Sequence, residues 1–315
     1  MRIVSAQDID SVLTFPSMIE ALREAFVAGY HAPHRHHHEM GRAGVAAATE
    51  LLMPAWTNDA PGKGAFLGVK IVSVFPDNGK LGLPAVQGVY LLQDGETGEA
   101  LAVMEGKRLT AWRTACASAL AARSLARQDA SHLAMIGAGA QAPFLARAHA
   151  AVRPIRKITV WNRSEAGARA LADSLADEFE VAVAPDPRAA VEGADVISCS
   201  PLSRDPIVKG AWLAPGQHLD LVGAFNLSMR EADDEALHRA RVFVDTDGAL
   251  VEGGDVAVAI RDGGYSADKV EGDLATLARG DAARRSDQEI TLFKSVGASI
   301  EDLAAAVLTW RALNA

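Results

Sequence analysis

Apolar and polar positions follow two different patterns along the first part of the chain. Residues 15–30 carry apolar side chains at helical spacing behind an early proline, which predicts an amphipathic helix. From 45 to 105 the pattern changes to short β-rich runs, with turn signals at Pro61-Gly62, Asp77-Asn78-Gly79 and Asp94-Gly95. These runs predict a mostly antiparallel sheet. The Ala- and Leu-rich segment 108–127 then predicts a long helix.

Beyond residue 131, strand-like and helix-like segments alternate. The strand-like runs are HLAMIG, KITVWN, EVAVAP, DVISCS and HLDLVG. Such alternation predicts a parallel, doubly wound sheet of the Rossmann type. We therefore expect an α/β protein with a Rossmann domain over 121–297. An α+β domain is expected over 1–120, to which a helix at about 298–315 returns.

Composition and charge favour a globular protein with a small partner. Of 315 residues, 49% are hydrophobic and 23% are charged, and the formal net charge is -9. This length favours two domains, and the acidic balance argues against nucleic acid and anionic membrane surfaces as partners. No run reaches the roughly 20 apolar residues of a membrane helix, and the first residues do not resemble a signal peptide, so we expect a cytoplasmic protein. Cys116 and Cys199 fit neither a disulfide framework nor a zinc pattern and are interpreted as buried thiols.

A glycine-rich loop gives the first indication of chemistry. The strand-like run 132–136 is followed at once by Gly137-Ala138-Gly139-Ala140-Gln141-Ala142, the G-x-G-x-x-A form of the dinucleotide fingerprint. The first glycine permits a tight turn and the second lets backbone N–H groups approach a pyrophosphate. The last small residue lets a helix pack closely, with its positive end facing the phosphates. The loop therefore predicts a bound dinucleotide.

The end of the next strand bears on which dinucleotide is bound. Asn162-Arg163-Ser164 stand where an acidic residue would normally receive the ribose hydroxyls of NAD. A guanidinium and a hydroxyl suit a 2′-phosphate, because Arg holds phosphate oxygens in a bidentate fork. This favours NADP(H) and leaves NAD(H) possible. The alternative is that Arg163 is only a solvated surface charge.

The chain resembles the ornithine cyclodeaminase and mu-crystallin family over nearly its whole length. The matching motifs are Pro33-x-Arg35, Leu52-Met53-Pro54, Gly68-Val69-Lys70, Leu83-Pro84-Ala85-Val86, Leu109-Thr110-Ala111-Trp112-Arg113-Thr114, the Gly137 loop with Gln141, and Phe293-Lys294-Ser295-Val296-Gly297. The resemblance implies a homodimer whose first lobe supplies the dimer interface and the substrate groups, with a Rossmann lobe for the nicotinamide cofactor.

The resemblance also implies roles for particular residues. Arg35, Lys70 and Arg113 would bind the carboxylate of an amino or imino acid, and Thr114 would hold cofactor phosphate together with the Gly137 loop. Ser295 is a candidate for bonding the nicotinamide amide, with an ordinary helix-capping serine as the alternative.

The surroundings of the cations agree with such a pocket, since an unpaired charge within an apolar run is costly. Lys70 lies in AFLGVKIVSVF and Arg113 in a largely apolar helical run. The alternative is an ion pair within the chain, with Glu50, Glu96, Glu99 or Glu105 as partner. Arg35 stands among histidines in what is interpreted as a Gly- and Ala-rich loop. Adjacent histidines there would have no fixed facial spacing, so no metal site is predicted.

The segment after the strand at 218–222 separates the reactions of the family. Cyclodeaminases have an Asp in a Gly-Gly-Asp segment, and Phe225 occupies that position here. A phenyl ring cannot take a proton, so the resemblance favours the reductase and dehydrogenase branch. The expected reaction is hydride transfer from NAD(P)H to C2 of a small cyclic imino acid, Δ1-pyrroline-2-carboxylate or Δ1-piperideine-2-carboxylate, giving L-proline or L-pipecolate.

Two points of the reaction stay open at this level. Lys70 is a candidate acid for the imine nitrogen, with a pKa lowered by Arg35 and Arg113, unless the substrate binds already protonated. Three other functions remain alternatives: an ornithine cyclodeaminase, an alanine dehydrogenase, and a non-catalytic NADPH-dependent binding protein.

Overall fold

The structure, a computed structural model, describes residues 1–57 and 64–315 and divides into two compact units. The first unit comprises Met1–Arg113 with Ala298–Ala315, and the second comprises Thr114–Gly297. The division falls earlier than the expected boundary after residue 120 and lies inside a single helix, Gly106–Leu125. The predicted Pro61-Gly62 turn lies outside the described residues.

The first unit is built on an antiparallel sheet with helices. Its described strands are β1 (Arg2–Val4), β2 (Tyr30–His31), β3 (His36–Met40), β4 (Ala48–Thr57), β5 (Phe66–Val74), β6 (Val86–Asp94) and β7 (Ala100–Glu105). Its helices are α1 (Ala6–Val12), α2 (Phe15–Ala28), the beginning of α3 (Gly106–Leu125), and α10 (Ser299–Leu313). The sheet order is β1-β7-β6-β5-β4-β2, and β3 also pairs with β4. Strands β4 to β7 are antiparallel, as predicted, while β1 joins β7 in parallel.

Helix α2 begins where the sequence pattern predicts. Thr14 caps it by accepting a hydrogen bond from the backbone of Ser17, whose side chain accepts from the backbone of Thr14 in return. Its apolar stripe is buried at Met18, Ile19, Leu22 and Phe26. Helix α10 contacts α2 and strands β4, β5 and β6 of the first unit.

Alternation along the strands gives the sheet two different faces. Lys70 and Tyr90 are paired across β5 and β6, so they point to the same face, and both are buried. The neighbouring positions Val69, Ile71 and Val89 point to the opposite face and are only partly covered. One face therefore forms the core beneath α10, and the other stays half-exposed.

The second unit is a parallel sheet with helices, as the alternation of segments predicts. Its strands are β8 (His132–Ile136), β9 (Lys157–Trp161), β10 (Glu180–Val183), β11 (Val196–Cys199), β12 (His218–Leu221), β13 (Arg241–Val244), β14 (Val270–Asp273) and β15 (Thr291–Lys294). Its helices are the rest of α3, α4 (Ala142–Val152), α5 (Glu165–Leu175), α6 (Pro187–Val191), α7 (Asp234–Arg239), α8 (Gly254–Arg261) and α9 (Leu274–Arg279). Cys116 and Cys199 are buried free thiols.

The strand order explains why the glycine loop stands where it does. The sheet runs β10-β9-β8-β11-β12-β15-β13-β14, so the direction of winding reverses between β8 and β11. In open parallel sheets, ligands bind beyond the carboxyl ends of the strands at such a reversal. The loop after β8 begins at Gly137, directly at this point. Within the described part of the chain, no helix is long and apolar enough to cross a membrane.

Candidate functional site

A buried cluster of charges lies in the first unit, between the sheet and α10. Lys70 of β5 forms an ion pair of 2.7 Å with one carboxylate oxygen of Asp302 on α10. The guanidinium of Arg113, on α3, donates to the other oxygen of Asp302 at 3.1 Å and to Glu301 at 2.6 Å. The side chains of Lys70 and Arg113 are 4% and 6% exposed, and those of both acids are fully buried. Asp302 therefore bridges two of the cations predicted to bind substrate.

The surroundings of Lys70 lower the pKa of its ammonium group towards neutral pH. Burial and the positive charge of Arg113 lower its pKa to about 8, against the opposing effect of Asp302. The positive charge of Arg35 lowers the pKa of Lys70 further. Lys70 can therefore release a proton far more readily than a surface lysine.

Tyr90 fills the space beside this cluster. Its ring lies over Gly68, where a Cβ atom would overlap the ring and the hydroxyl, so the neighbouring strand needs a glycine there. The Tyr90 hydroxyl is buried and finds no hydrogen-bond partner among the described residues. Burial, together with the negative charge of Asp302, raises its pKa well above the usual value. It therefore remains a neutral O–H group.

The partners of the two cations were not among those weighed from the sequence. Glu50 instead accepts a hydrogen bond from the Ser73 hydroxyl at 2.6 Å, and Glu105 accepts one from the backbone of Arg108 at 2.7 Å. The sequence did contain one indication of these partners, the adjacent acids Glu301 and Asp302 within the apolar run SIEDLAAAV. Two acids on a buried helix need cationic partners.

In the second unit, the glycine loop has the backbone geometry that its motif predicts. Gly137 has a φ of +104°, and a Cβ atom there would stand 2.9 Å from the backbone nitrogen of Pro201. A Cβ atom on Gly139 would meet no atom of the described residues within 4 Å. Ala142 is buried where α4 packs, and α4 begins without a side-chain cap from Gln141. The loop is therefore open on the side of Gly139.

Gly137 and Gly139 thus serve different purposes. Gly137 is needed by the protein itself, because only a residue without a side chain fits its φ and its neighbour. Gly139 is different, because a side chain there would meet no described atom of the protein. A glycine at this position is consistent with the close approach of a pyrophosphate to the backbone. Ala138 lies between the two glycines, and Ala140 follows Gly139.

The segment after β9 is arranged around the start of α5. The side chain of Asn162 donates to the backbone oxygen of Ser164 at 3.0 Å, and the Ser164 hydroxyl caps α5 by accepting from Gly167. Arg163 is exposed, and within residues 1–57 and 64–315 it has no ion-pair partner. Its guanidinium is therefore available to a ligand.

Thr114 and Ser295 complete the cofactor set predicted from the sequence. Thr114 lies on α3 and is buried. Ser295 directly follows β15, and its backbone N–H donates to Leu221 at 3.0 Å. The helix-capping alternative for Ser295 is wrong, because the residue at the N-cap of α10 is Ala298.

A second buried charge cluster shapes the loop that follows β12. Lys294 lies 3.1 Å from Glu231 and 3.1 Å from Asp255, and all three are buried. Glu231 accepts from the backbone N–H groups of Gly223 and Ala224, which fixes the start of the loop 223–231. Burial raises the pKa of Glu231, and Lys294 opposes the rise. Phe225, near the middle of this loop, is 40% exposed.

The histidine-rich segment differs from its prediction. Residues 36–40 form strand β3 on β4 instead of a loop, because their backbone pairs in register with Ala48 to Leu52. His36 and His38 consequently share a face, with ring centroids 6.4 Å apart. Among residues 1–57 and 64–315, no group of three or more His, Cys, Asp or Glu side chains is placed to hold a metal ion.

The parallel sheet with its glycine loop defines an oxidoreductase of the Rossmann type that has a second, α+β unit. Residues 3–314 match the ornithine cyclodeaminase/mu-crystallin family, and the chain belongs to it. It is 37% identical to the Δ1-pyrroline-2-carboxylate reductase of Paracoccus denitrificans, over 96% of this chain and 94% of the relative.

Two solved structures show the same similarity in three dimensions. The Δ1-pyrroline-2-carboxylate reductase of Thermococcus litoralis, in complex with NADH and L-proline, has a TM-score of 0.93 at 33% identity and covers 100% of this chain and 98% of its own. An archaeal alanine dehydrogenase dimer with bound NAD has a TM-score of 0.90 at 29% identity, with coverages of 100% and 96%.

The central place of Asp302 leads to a stability prediction. Asp302→Ala leaves two buried cations short of a partner, so we expect a loss of about 3–5 kcal/mol in the free energy of unfolding. Urea denaturation followed by circular dichroism measures it. The matched control is Asp262→Ala, which removes an ion pair with Arg261 whose side chains are both 57% exposed. Equal unfolding midpoints for the two variants would contradict the bridging role of Asp302.

Proposed function

We propose that the chain reduces a small cyclic imino acid, Δ1-pyrroline-2-carboxylate or Δ1-piperideine-2-carboxylate, to L-proline or L-pipecolate with NAD(P)H. The observation that carries the proposal is the buried pair Lys70 and Arg113, joined through Asp302, in a chain that also contains an open dinucleotide loop. The similarity to two Δ1-pyrroline-2-carboxylate reductases supports this substrate class.

The residues of the second unit fit a nicotinamide dinucleotide. The open side of Gly139 and the uncapped start of α4 suit the pyrophosphate, and Gln141 stands at that helix start. Thr114 and Ser295 are proposed to contact phosphate and the nicotinamide amide, respectively. The reduced nicotinamide supplies the hydride when it is bound.

The first unit is proposed to bind and protonate the substrate. Arg113 and Arg35 bind its carboxylate, which orients C2 of the imine. Lys70 contributes to the same binding and passes a proton to the imine nitrogen, so that C2 becomes electrophilic. A pKa of about 8 suits this task near neutral pH, because the ammonium form is then populated and the proton is still released readily.

Phe225 supports a reductase over a cyclodeaminase. The position in the loop 223–231 that resembles the Asp of cyclodeaminases holds a side chain without a titratable group. The start of this loop is held by Glu231, whose carboxylate is occupied with backbone donors and Lys294. Neither residue is free to assist the release of ammonia from ornithine.

We also propose that the chain forms a homodimer through the half-exposed face of its first sheet. This face carries Val69, Val89 and Leu91, and at its edge Ile3, which is 80% exposed. Contiguous apolar surface of this kind is typical of protein interfaces. The structural relative described as an alanine dehydrogenase dimer supports the same assembly.

One assay tests the reductase proposal against its rivals. Purified protein is mixed with NADPH or NADH and then with each cyclic imino acid, and absorbance of the reduced nicotinamide is followed. We expect rapid loss of absorbance and no ammonia from ornithine in a parallel reaction. Ammonia release without imine reduction would indicate a cyclodeaminase. Reduction only of pyruvate with ammonia would indicate an alanine dehydrogenase, and binding of NADPH without any turnover would indicate a binding protein.

The proposed acid role of Lys70 leads to a second prediction. Lys70→Met removes the donor, so kcat should fall by about 100-fold or more while NADPH binding, measured by fluorescence, is retained. In the unaltered protein, kcat/KM for reduction should fall as pH rises through about 8, because Lys70 then loses its proton. Lys107→Met, at a lysine whose side chain is 46% exposed, is the control. Near-normal kcat in Lys70→Met would remove Lys70 from the chemistry.

A third prediction concerns the preference for NADP(H). If Arg163 binds the 2′-phosphate, Arg163→Ala should raise KM for NADPH by about tenfold or more and leave KM for NADH nearly unchanged. Arg169→Ala, on the exposed surface of α5, is the matched control. Equal changes for both cofactors in Arg163→Ala would assign Arg163 to the solvated surface.

A fourth prediction tests the dimer. A charge placed in an apolar interface is strongly unfavourable, so Val89→Lys should convert a particle of twice the chain mass into a monomer. Light scattering after gel filtration measures this. The control is Val27→Lys on α2, because Val27 is 44% exposed and Val89 is 41% exposed. A dimer that survives Val89→Lys, or a monomeric unaltered protein, would contradict the proposed interface.

A further inference from the structure

A single carboxylate joins two helices to two strands inside the second unit. Asp220, on β12, is fully buried. It accepts a hydrogen bond from the Ser118 hydroxyl of α3 at 2.8 Å and another from the Ser198 hydroxyl of β11 at 2.7 Å. The ring Nε2 of His149, on α4, lies 3.2 Å from the same carboxylate. Asp220 therefore ties both helices to the middle of the parallel sheet.

The bonds to Asp220 are strong because the carboxylate is charged and dry. Burial by itself would raise the pKa of Asp220, but the hydrogen bonds from His149 and Ser198 lower it below the usual value. Hydrogen bonds to an ionised acceptor are stronger than those between neutral groups. Loss of one donor also leaves part of a buried charge unsatisfied, which is costly.

Helix α3 needs such a directional bond because its buried surface is made of small side chains. All residues from 115 to 122 are buried, and apart from Leu120 they are alanine, cysteine or serine. Small side chains permit close packing but interlock weakly, so they fix the rotation of a helix and its position along its axis poorly. A buried hydrogen bond has a defined length and direction and supplies this specificity.

The bond from Ser118 is placed where it governs a predicted phosphate contact. Ser118 follows Thr114 by four residues, about one helical turn, so both lie on the same side of α3. The orientation of Thr114 therefore follows that of Ser118. Helix α4, which begins directly after the glycine loop, is held by the same carboxylate through His149.

We propose that Asp220 is a positioning residue for the dinucleotide, which it serves by holding α3 through Ser118 so that Thr114 meets the cofactor phosphate. The inference rests on the proposed function in one respect, namely that Thr114 contacts this phosphate. Asp220 itself lies in the core and acts only through the elements that it holds.

Two serines provide a matched pair of variants. Ser118 and Ser198 are both fully buried and both donate to Asp220, so Ser118→Ala and Ser198→Ala remove the same atom from the same kind of bond. Strand β11 is also held by backbone pairing with β8 and β12, whatever its side chains do. If the bonds serve only stability, the two variants should have equal effects on the cofactor.

The dissociation constant of NADPH, measured with the full chain by fluorescence, separates these cases. We expect Ser118→Ala to raise it by about tenfold and Ser198→Ala by less than about threefold, while thermal unfolding shifts by a similar amount in both. If Ser118→Ala does not fold, Ser118→Cys is compared with Ser198→Cys, because a thiol is a weaker donor than a hydroxyl.

A double-mutant cycle tests the route through Thr114. Thr114→Val removes the hydroxyl that α3 is proposed to present, so Ser118→Ala should raise the dissociation constant of NADPH by no more than about twofold in that background. A tenfold effect of Ser118→Ala in both backgrounds would overturn the inference.

The remaining outcomes separate the inference from the proposed function. Equal effects of Ser118→Ala and Ser198→Ala on NADPH binding overturn the inference and leave the proposed reductase standing. The expected difference in a protein that reduces no imino acid overturns the proposed reaction and supports the inference. An unaltered protein that binds neither NADPH nor NADH overturns both.

Discussion

The bridge from Asp302 to Lys70 and Arg113 is the interaction on which the first unit depends. Two cations with almost no exposure to water are stabilised by one carboxylate that touches both, at 2.7 and 3.1 Å, and Glu301 adds a second partner for Arg113. The same contact decides where α10 must lie, since its acids have to reach β5 and α3 together. Packing of α10 on the sheet and placement of the buried charges therefore depend on the same contacts.

The main feature of the second unit is the backbone geometry of its glycine loop. Gly137 and Gly139 carry no functional groups, yet one permits the turn and the other leaves room beside the start of α4. Three buried charges of this unit, on Lys294, Glu231 and Asp255, hold the loop 223–231. The first unit thus holds the buried charges around Lys70, and the second holds the open glycine loop.

The sequence predicted the features that depend on near neighbours. The strand 132–136, the loop after it and the strand 157–161 were located correctly, because spacing and small residues define them locally. The partners of Arg113 were missed because they lie 188 and 189 residues away, and no local pattern connects them. The histidines of β3 were misplaced for a similar reason, since an edge strand without apolar alternation is defined by its pairing with β4.

The position of α10 in the chain has a consequence for how the protein is made. Every strand of both units precedes Asp302 in the order of synthesis. The second unit has all its strands once Lys294 has emerged from the ribosome, whereas the core of the first unit still lacks the helix that covers it. During translation, Lys70 and Arg113 must therefore stay in contact with water or with a chaperone. The first unit, which begins at the N-terminus, is completed only when the C-terminal helix has been synthesised.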